Sequence, residues 1–217
     1  MKSVIVLFLA LGLSACAPSG EDDAYACMNA DLPSAKGTPT ILVIGDSISL
    51  GYTPVLIEAL PAFDVVHNPC NARNSRLTAQ NLGRWLASRA QFEAITFNNG
   101  IWDVTDELWT SEAEYEANLT FVARAIKAKT TRPLFVLTTK IPPGAIGGRS
   151  DTNAVRRNDI ALRVMSAEGI PVVDLHTVSA GLDAYRWAPN DVHFHEEGSE
   201  ILADVILSSL DGLYGIR

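Results

Sequence analysis

Residues 40 to 59 read TILVIGDSISLGYTPVLIEA, an apolar run of strand length that breaks at Gly45-Asp46-Ser47 and gives way to helical spacing from about residue 49. The run 40 to 45 shows no polar alternation, which is how a strand reads when both of its faces are covered. The same succession returns four times. Residues 63 to 67 (FDVVH), 94 to 98 (AITFN), 134 to 139 (LFVLTT) and 170 to 175 (IPVVDL) are short apolar runs, and helical patterns follow near 78 to 88, 112 to 129, 153 to 168 and 199 to 208. In 112 to 129, Tyr115, Leu119, Val122 and Ile126 fall on one face, with Glu112, Glu114 and Glu116 at the start and Lys127 and Lys129 at the end. Both charge placements suit the helix dipole. Five strand-then-helix units predict an α/β fold with a parallel sheet covered on both sides.

In such sheets the ligand crevice lies beyond the C-terminal ends of the strands. Polar residues gather at four of those places, 45 to 47, 71 to 78, 98 to 103 and 190 to 195. The loop 141 to 150 (IPPGAIGGRS) is long and rich in Gly and Pro, a candidate rim of the pocket.

The N-terminus is a processing segment. MKSVIVLFLALGLSAC has Lys2, an apolar run from Val4 to Leu13 and small residues before Cys16. The run is shorter than the roughly 20 residues needed to span a bilayer, and Leu13-Ser14-Ala15-Cys16 resembles the bacterial lipobox. The expectation is a lipoprotein signal peptide over 1–15, a polar tether over 16–38 beginning at a lipidated Cys16, and one folded domain over 39–217. The protein would sit lipid-anchored in the cell envelope, on the periplasmic face or the outer membrane. With Cys16 carrying lipid, Cys27 and Cys70 remain to form a disulfide in an oxidising compartment.

A formal charge of −8 disfavours nucleic acid as a partner. Arg73, Arg76, Arg84 and Arg89 read as a solvated helix face. His193-Phe194-His195 lacks the spacing of zinc-binding helices, and Gly144, Gly147 and Gly148 lack the Lys-Ser/Thr ending of a phosphate loop, so neither a metal nor a cofactor is implied.

Ser47 stands where a strand ends and a helix begins, a position that suits a helix cap and equally a nucleophile beside unpaired helical N–H groups. GDSIS is not the G-x-S-x-G elbow of α/β-hydrolases, because Ser49 takes the second glycine's place. Asp191 and His193, in DVHFHEEG just ahead of the last helix, supply a base and an acceptor to orient it. A serine hydroxyl needs a neutral imidazole to take its proton, and the imidazole needs a partner on its other nitrogen to fix the tautomer.

Over residues 40 to 210 these blocks resemble the SGNH (GDSL-type) serine hydrolase family. GDSIS is similar to its first block, NPCNARNSRLTAQNLGRWL (68 to 86) to its second, FNNGIWD (97 to 103) to its third and DVHFHEEG (191 to 198) to its last. Tyr115, Asn118 and Leu119 are similar to a Tyr-x-x-Asn-Leu helix found in part of that family. The resemblance implies a three-layer α/β/α sandwich with five parallel strands in the flavodoxin-like order 2-1-3-4-5. It further implies ester hydrolysis with Ser47 as nucleophile, His193 as base and Asp191 as its orienter; Asn190, at the family's usual D-x-x-H spacing, is the rival orienter. The implied oxyanion hole takes the N–H of Ser47 and, counting back from the Leu82 helix, that of Ser75. Trp102 stands where the family's donor Asn belongs, so either its indole N–H or Asn98 fills that role. The expected substrate is a small-molecule or polysaccharide ester of a short acyl group, acetyl among them. The alternative is a non-catalytic carbohydrate- or protein-binding module of the envelope on the same fold.

Overall fold

The computed structural model describes residues 27–217, so the expected signal peptide, Cys16 and the first part of the tether lie outside the described residues. Five strands, β1 (Thr40–Ile44), β2 (Asp64–His67), β3 (Ala94–Phe97), β4 (Pro133–Val136) and β5 (Val172–Val173), form one parallel sheet in the order β2-β1-β3-β4-β5. The helices are α1 (Ser47–Ala59), α2 (Ser75–Ala87), α3 (Glu112–Lys127), α4 (Asp151–Glu168), the short α5 (Leu175–Ser179) and α6 (Glu196–Tyr214).

Alternation along β1 splits the core into two layers. Ile41 and Val43 face a cluster that includes Tyr52 and Leu56 of α1 and Leu202, Ile206 and Leu210 of α6. Leu42 and Ile44 face the other side, where Leu82 and Trp85 of α2, Leu119 and Val122 of α3 and Ile160 and Val164 of α4 gather. Burying both faces of the central strand produces the three-layer α/β/α sandwich expected from its uninterrupted apolar run.

Helices α1, α2 and α4 begin two or three residues earlier than apolar spacing suggests and α3 begins at Glu112 as expected, each behind a polar cap. Asp46 accepts from Ile48 N, Asn74 from Leu77 N, Ser111 from Glu114 N and Ser150 from Asn153 N. The cap of α1 is therefore Asp46, which frees the Ser47 hydroxyl from that duty. The last two strands are shorter than expected. Beyond Leu137, side chains replace the ladder, with Thr138 N donating to Asn158 Oδ1 and Lys140 N to Ser179 Oγ. On β5, Asp174 accepts from Thr177 N and starts α5, so Leu175 is helical.

The described part of the expected tether, from Cys27 onward, packs against the body. Met28 and Leu32 are buried, and Trp85 Nε1 donates to Met28 O at 3.3 Å. Nor do the four arginines make one helix face. Arg76 and Arg84 pair on the surface with Glu114 and Asp31, Arg89 donates to Pro33 O at 2.8 Å, and Arg73 lies before α2.

Cys27 and Cys70 are joined by a disulfide with Cα atoms 6.0 Å apart. Cys70 holds a left-handed backbone, φ 56°, a conformation unfavourable by about 1–2 kcal/mol for a residue with a side chain. Closing a loop of 43 residues' separation removes chain entropy worth roughly 4 kcal/mol from the unfolded state. Replacing both cysteines with Ser is expected to lower unfolding free energy by about 2–4 kcal/mol. Urea titration of the two proteins reads this directly, and equal midpoints with equal slopes would refute it.

Candidate active site

Ser47 opens α1 at the end of β1, and its position is set from below. Asp46 is fully buried. Its Oδ1 accepts from Ile48 N at 2.9 Å and its Oδ2 from Asn98 Nδ2 at 2.8 Å. Gly45 N donates to Asn68 Oδ1 at 2.7 Å, and a Cβ on Gly45 would overlap Asn98 Oδ1. Glycine at 45 thus lets the chain turn directly against β3. Burial raises the pKa of Asp46, while bonds from Ile48 and Asn98 and the nearby His193 oppose the rise.

Into this corner the last loop brings His193. His193 Nε2 lies 2.8 Å from Ser47 Oγ, and His193 Nδ1 lies 2.7 Å from Asp191 Oδ1. An ionised carboxylate only accepts, so Nδ1 carries the proton and Nε2 is left to receive the hydroxyl's hydrogen. Asp191 Oδ1 also accepts from the backbone N of His193 at 2.9 Å. Burial works to raise the Asp191 pKa, but the two bonds from His193 together with the charges of His193 and Arg186 hold the carboxyl below its usual value. The rival Asn190 is exposed and directs its amide to Gly144 O at 3.4 Å. His195 is exposed and starts α6 without a side-chain cap bond.

Sequence reasoning missed the residue that shapes this loop. Arg186, buried, donates Nη1 to Asp191 O (3.2 Å) and Val192 O (3.1 Å), Nη2 to Lys140 O (2.8 Å) and Nε to Asp183 Oδ1 (3.1 Å). Its guanidinium stands 4.5 Å from the centroid of the Phe194 ring. Loop carbonyls that would otherwise be buried unpaired are satisfied by one fork of donors. An Arg in the six residues preceding an Asp-x-His loop is a weak signal, and nothing in the sequence says that it turns inward.

Two expected oxyanion donors, Ser75 and Asn98, are bonded to other partners in this structure. Ser75 N donates to Asp103 Oδ1 (3.0 Å) and Oδ2 (3.1 Å), and Ser75 Oγ donates to Asp103 Oδ1 at 2.6 Å. A buried carboxylate needs such donors, so it claims the first turn of α2 for itself. Asn98 is buried beneath the elbow with its amide on Asp46, outside the cleft that Ser47 faces. Trp102 does line that cleft, and its indole N–H meets no protein acceptor among the described residues. The Tyr115 and Asn118 pair braces these loops from behind: Tyr115 OH donates to Asn99 O at 2.8 Å and Asn118 Nδ2 to Ser75 Oγ at 3.1 Å.

Ser47 stands between two hollows. One, about 220 Å³, is walled by Trp102, Ile101, Ile146 and Arg149 on one side and by Asp191 and His193 on the other. The second, about 300 Å³, is the more apolar, with Leu50, Trp187 and Phe194. The Trp187 ring lies 5.2 Å from the His193 ring at 30°. Among the described residues no group of three or more His, Cys, Asp or Glu side chains converges as metal ligands.

A five-stranded α/β/α sheet in the order 2-1-3-4-5, with a hydroxyl, an imidazole and a carboxylate bonded in series at its C-terminal edge, places the chain in the class of SGNH hydrolase folds. Solved structures with this fold superpose over most of the chain. A lipase/acylhydrolase from Enterococcus faecalis is 20% identical, with 81% of this chain and 96% of that one covered at a TM-score of 0.68. A member of the lipolytic G-D-S-L family from Veillonella parvula is 16% identical, with 81% and 100% covered at 0.68. An acetylxylan esterase from Geobacillus stearothermophilus is 19% identical, with 82% and 96% covered at 0.64. No family model matches the sequence, and no curated protein matches it.

Burial pushes the Asp103 carboxyl up to about 6, against the opposing bonds from Ser75 and Thr110 and the charge of Arg157. The unfolded value is about 3.9, so the folded state binds this proton more tightly. The linked stability is fully present below about pH 4 and is lost as pH rises through about 6, at most roughly 3 kcal/mol. Asp103→Asn removes that titration. Urea unfolding of both proteins between pH 4 and 7 is expected to show the wild-type advantage shrinking as pH rises, and a pH-independent difference would refute it.

Proposed function

We propose that the protein is a serine esterase acting on short acyl esters, acetyl among them, of small molecules or polysaccharides. The observation that carries the reading is the bonded series Ser47 Oγ, His193 Nε2, His193 Nδ1 and Asp191 Oδ1, at 2.8 and 2.7 Å. The hollow of about 220 Å³ beside Ser47 suits a small group, and the acetylxylan esterase among the similar folds acts, by its name, on such an ester.

In the proposed reaction His193 Nε2 takes the Ser47 proton as Oγ attacks the acyl carbon. The tetrahedral adduct collapses with cleavage of the ester C–O bond, and the departing alkoxide takes the proton back from His193. Water then attacks the acyl-serine, giving its proton to His193 and on to Ser47 Oγ as the carboxylic acid leaves. Charge on the adduct's oxygen is met by the Ser47 N–H, which has no intrahelical partner in the first turn, and by the Trp102 indole N–H. Export and anchoring at the cell envelope through lipid on Cys16 belong to the same proposal, supported by the order of residues 1 to 16.

A fluorophosphonate probe is expected to label the wild type and not Ser47→Ala. Asp191→Asn should lower kcat on 4-nitrophenyl acetate by about 10⁴, through the wrong imidazole tautomer, whereas Asn190→Ala should change it less than about threefold. Trp102→Phe keeps a ring and removes the N–H, and should lower kcat by about 10²–10³. Unlabelled wild type that binds acetylated sugars saturably would replace the enzyme with a binding module.

A further inference from the structure

Of the hollows, buried polar groups and surface patches, the cleft wall facing Ser47 carries the most unexplained chemistry. Arg149, from the loop 141–150, reaches back over Trp102 with its guanidinium carbon 4.8 Å from the ring centroid. Its Nε donates to Ile101 O at 3.4 Å and its Nη1 to Ile146 O at 2.8 Å. Its Nη2 reaches no protein acceptor, and no carboxylate lies within 4 Å of the side chain among the described residues. The neighbouring Arg73, 5.3 Å from the same ring, does have a carboxylate partner in Glu107 at 3.6 Å.

The orientation of Arg149 is built. The loop behind it turns through Gly147 (φ 74°) and Gly148 (φ 69°), a backbone that side chains rarely adopt. Asp106 N donates to Gly147 O at 3.0 Å, and a Cβ at Gly148 would overlap the Asp106 carboxylate. Glycines therefore let the loop close onto Asp106 and hold the next residue over the indole. A half-buried guanidinium that lines the cleft with two carbonyl partners, an aromatic plane beneath it and one nitrogen without a protein acceptor is pre-organised for an anion. Burial lowers the Arg149 pKa, while the charges of Asp46, Glu107 and Asp191 oppose that; the group remains charged at neutral pH.

We propose that this cleft selects esters that carry a carboxylate, with Arg149 as the specificity-determining residue that binds it. The proposal rests on the esterase reading for its substrate, and on the geometry of Arg149 alone for its ligand. In a chain of net charge −8, such a local cation is the feature that would draw a negatively charged ester to Ser47 against the mean field.

The test compares esters that differ in charge and little in shape. The pair 4-acetoxybenzoate and 4-acetoxybenzamide carries the carboxylate on the alcohol side, and mono-4-nitrophenyl succinate with 4-nitrophenyl butyrate carries it on the acyl side. The readout is the ratio of kcat/KM for charged over neutral ester within each protein. In the wild type at least one pair should give a ratio of about ten or more, the scale of one charge-assisted bond. Arg149→Gln should bring it to about one or below, and Arg149→Lys should restore part of it. Added salt should reduce the wild-type ratio. Wild-type ratios at or below one for both pairs, or a ratio that survives Arg149→Gln, would overturn the proposal.

If the wild type hydrolyses none of the four, the esterase reading fails and the anion site is tested by calorimetric titration with succinate. Saturable binding that Arg149→Gln abolishes, at unchanged thermal midpoint, sustains the site. No saturable binding to wild type removes it.

Discussion

The structure depends on one buried carboxylate being fully engaged. Asp46 ties two strands and a helix together where they meet: β1, which it follows; β3 through Asn98; and α1 through Ile48 N. Asn68, just past β2, completes the knot by accepting from Gly45 N. An ion in that position is tolerable only while each oxygen has a donor, because an unpaired buried charge is among the costliest defects a core can hold. The requirement fixes the elbow, and the elbow fixes Ser47. The proposed nucleophile needs its hydroxyl held toward His193, and the residue before it supplies the cap that Ser47 would otherwise provide.

The opposite wall is held by a different device. His193 comes from a loop with little regular structure, joined to its surroundings by an Arg186–Phe194 bridge and by His195 N donating to Tyr185 O at 2.7 Å. Arg186 gathers its carbonyls from inside, and Gly198 lets α6 approach Phe194, since a Cβ there would stand 3.0 Å from the Phe194 Cβ. The elbow is thus rigid because strands are pinned together, and the base loop because one cation is surrounded by acceptors. Both supports lie under the surface, which leaves Ser47, Trp102 and His193 only partly covered.

What was legible in the sequence follows from which forces are local. The two-sided core and the helices were readable, since apolar runs and helical spacing record burial directly, whereas the strand order came only from the resemblance to the SGNH family. Ser47, His193 and Asp191 could be named as candidates because such chemistry restricts the residue types, and the structure brings the three within hydrogen-bond distance. The Cys27–Cys70 pairing followed from counting. The partners of the expected oxyanion donors were not readable: Asp103 engages Ser75 across 28 positions and Asp46 engages Asn98 across 52, and hydrogen-bond competition over such distances leaves no periodic trace. Arg149 was inside a loop recognised as a rim, yet its inward turn depends on Gly147 and Gly148 meeting Asp106, which again is tertiary.

Those reassignments bear on how the proposed reaction would proceed. The proposed reaction draws on the Ser47 N–H and the Trp102 indole, one donor fewer than the three the family resemblance implies, and each missing donor is worth roughly 3–4 kcal/mol of transition-state binding. Asp103 is the cause on one side, because satisfying its buried carboxylate consumes the N–H of Ser75. Binding energy drawn from a distant part of the substrate can offset such a loss if it also fixes the ester against Ser47. A guanidinium held over the indole that faces the adduct is suited to that, since any anion it grips draws the ester toward the same ring whose N–H would receive the developing charge. On this view the two unusual features of the cleft, a tryptophan in a donor's place and an arginine without a carboxylate partner, are parts of one arrangement: selectivity for charge makes up in positioning what the hole lacks in donors.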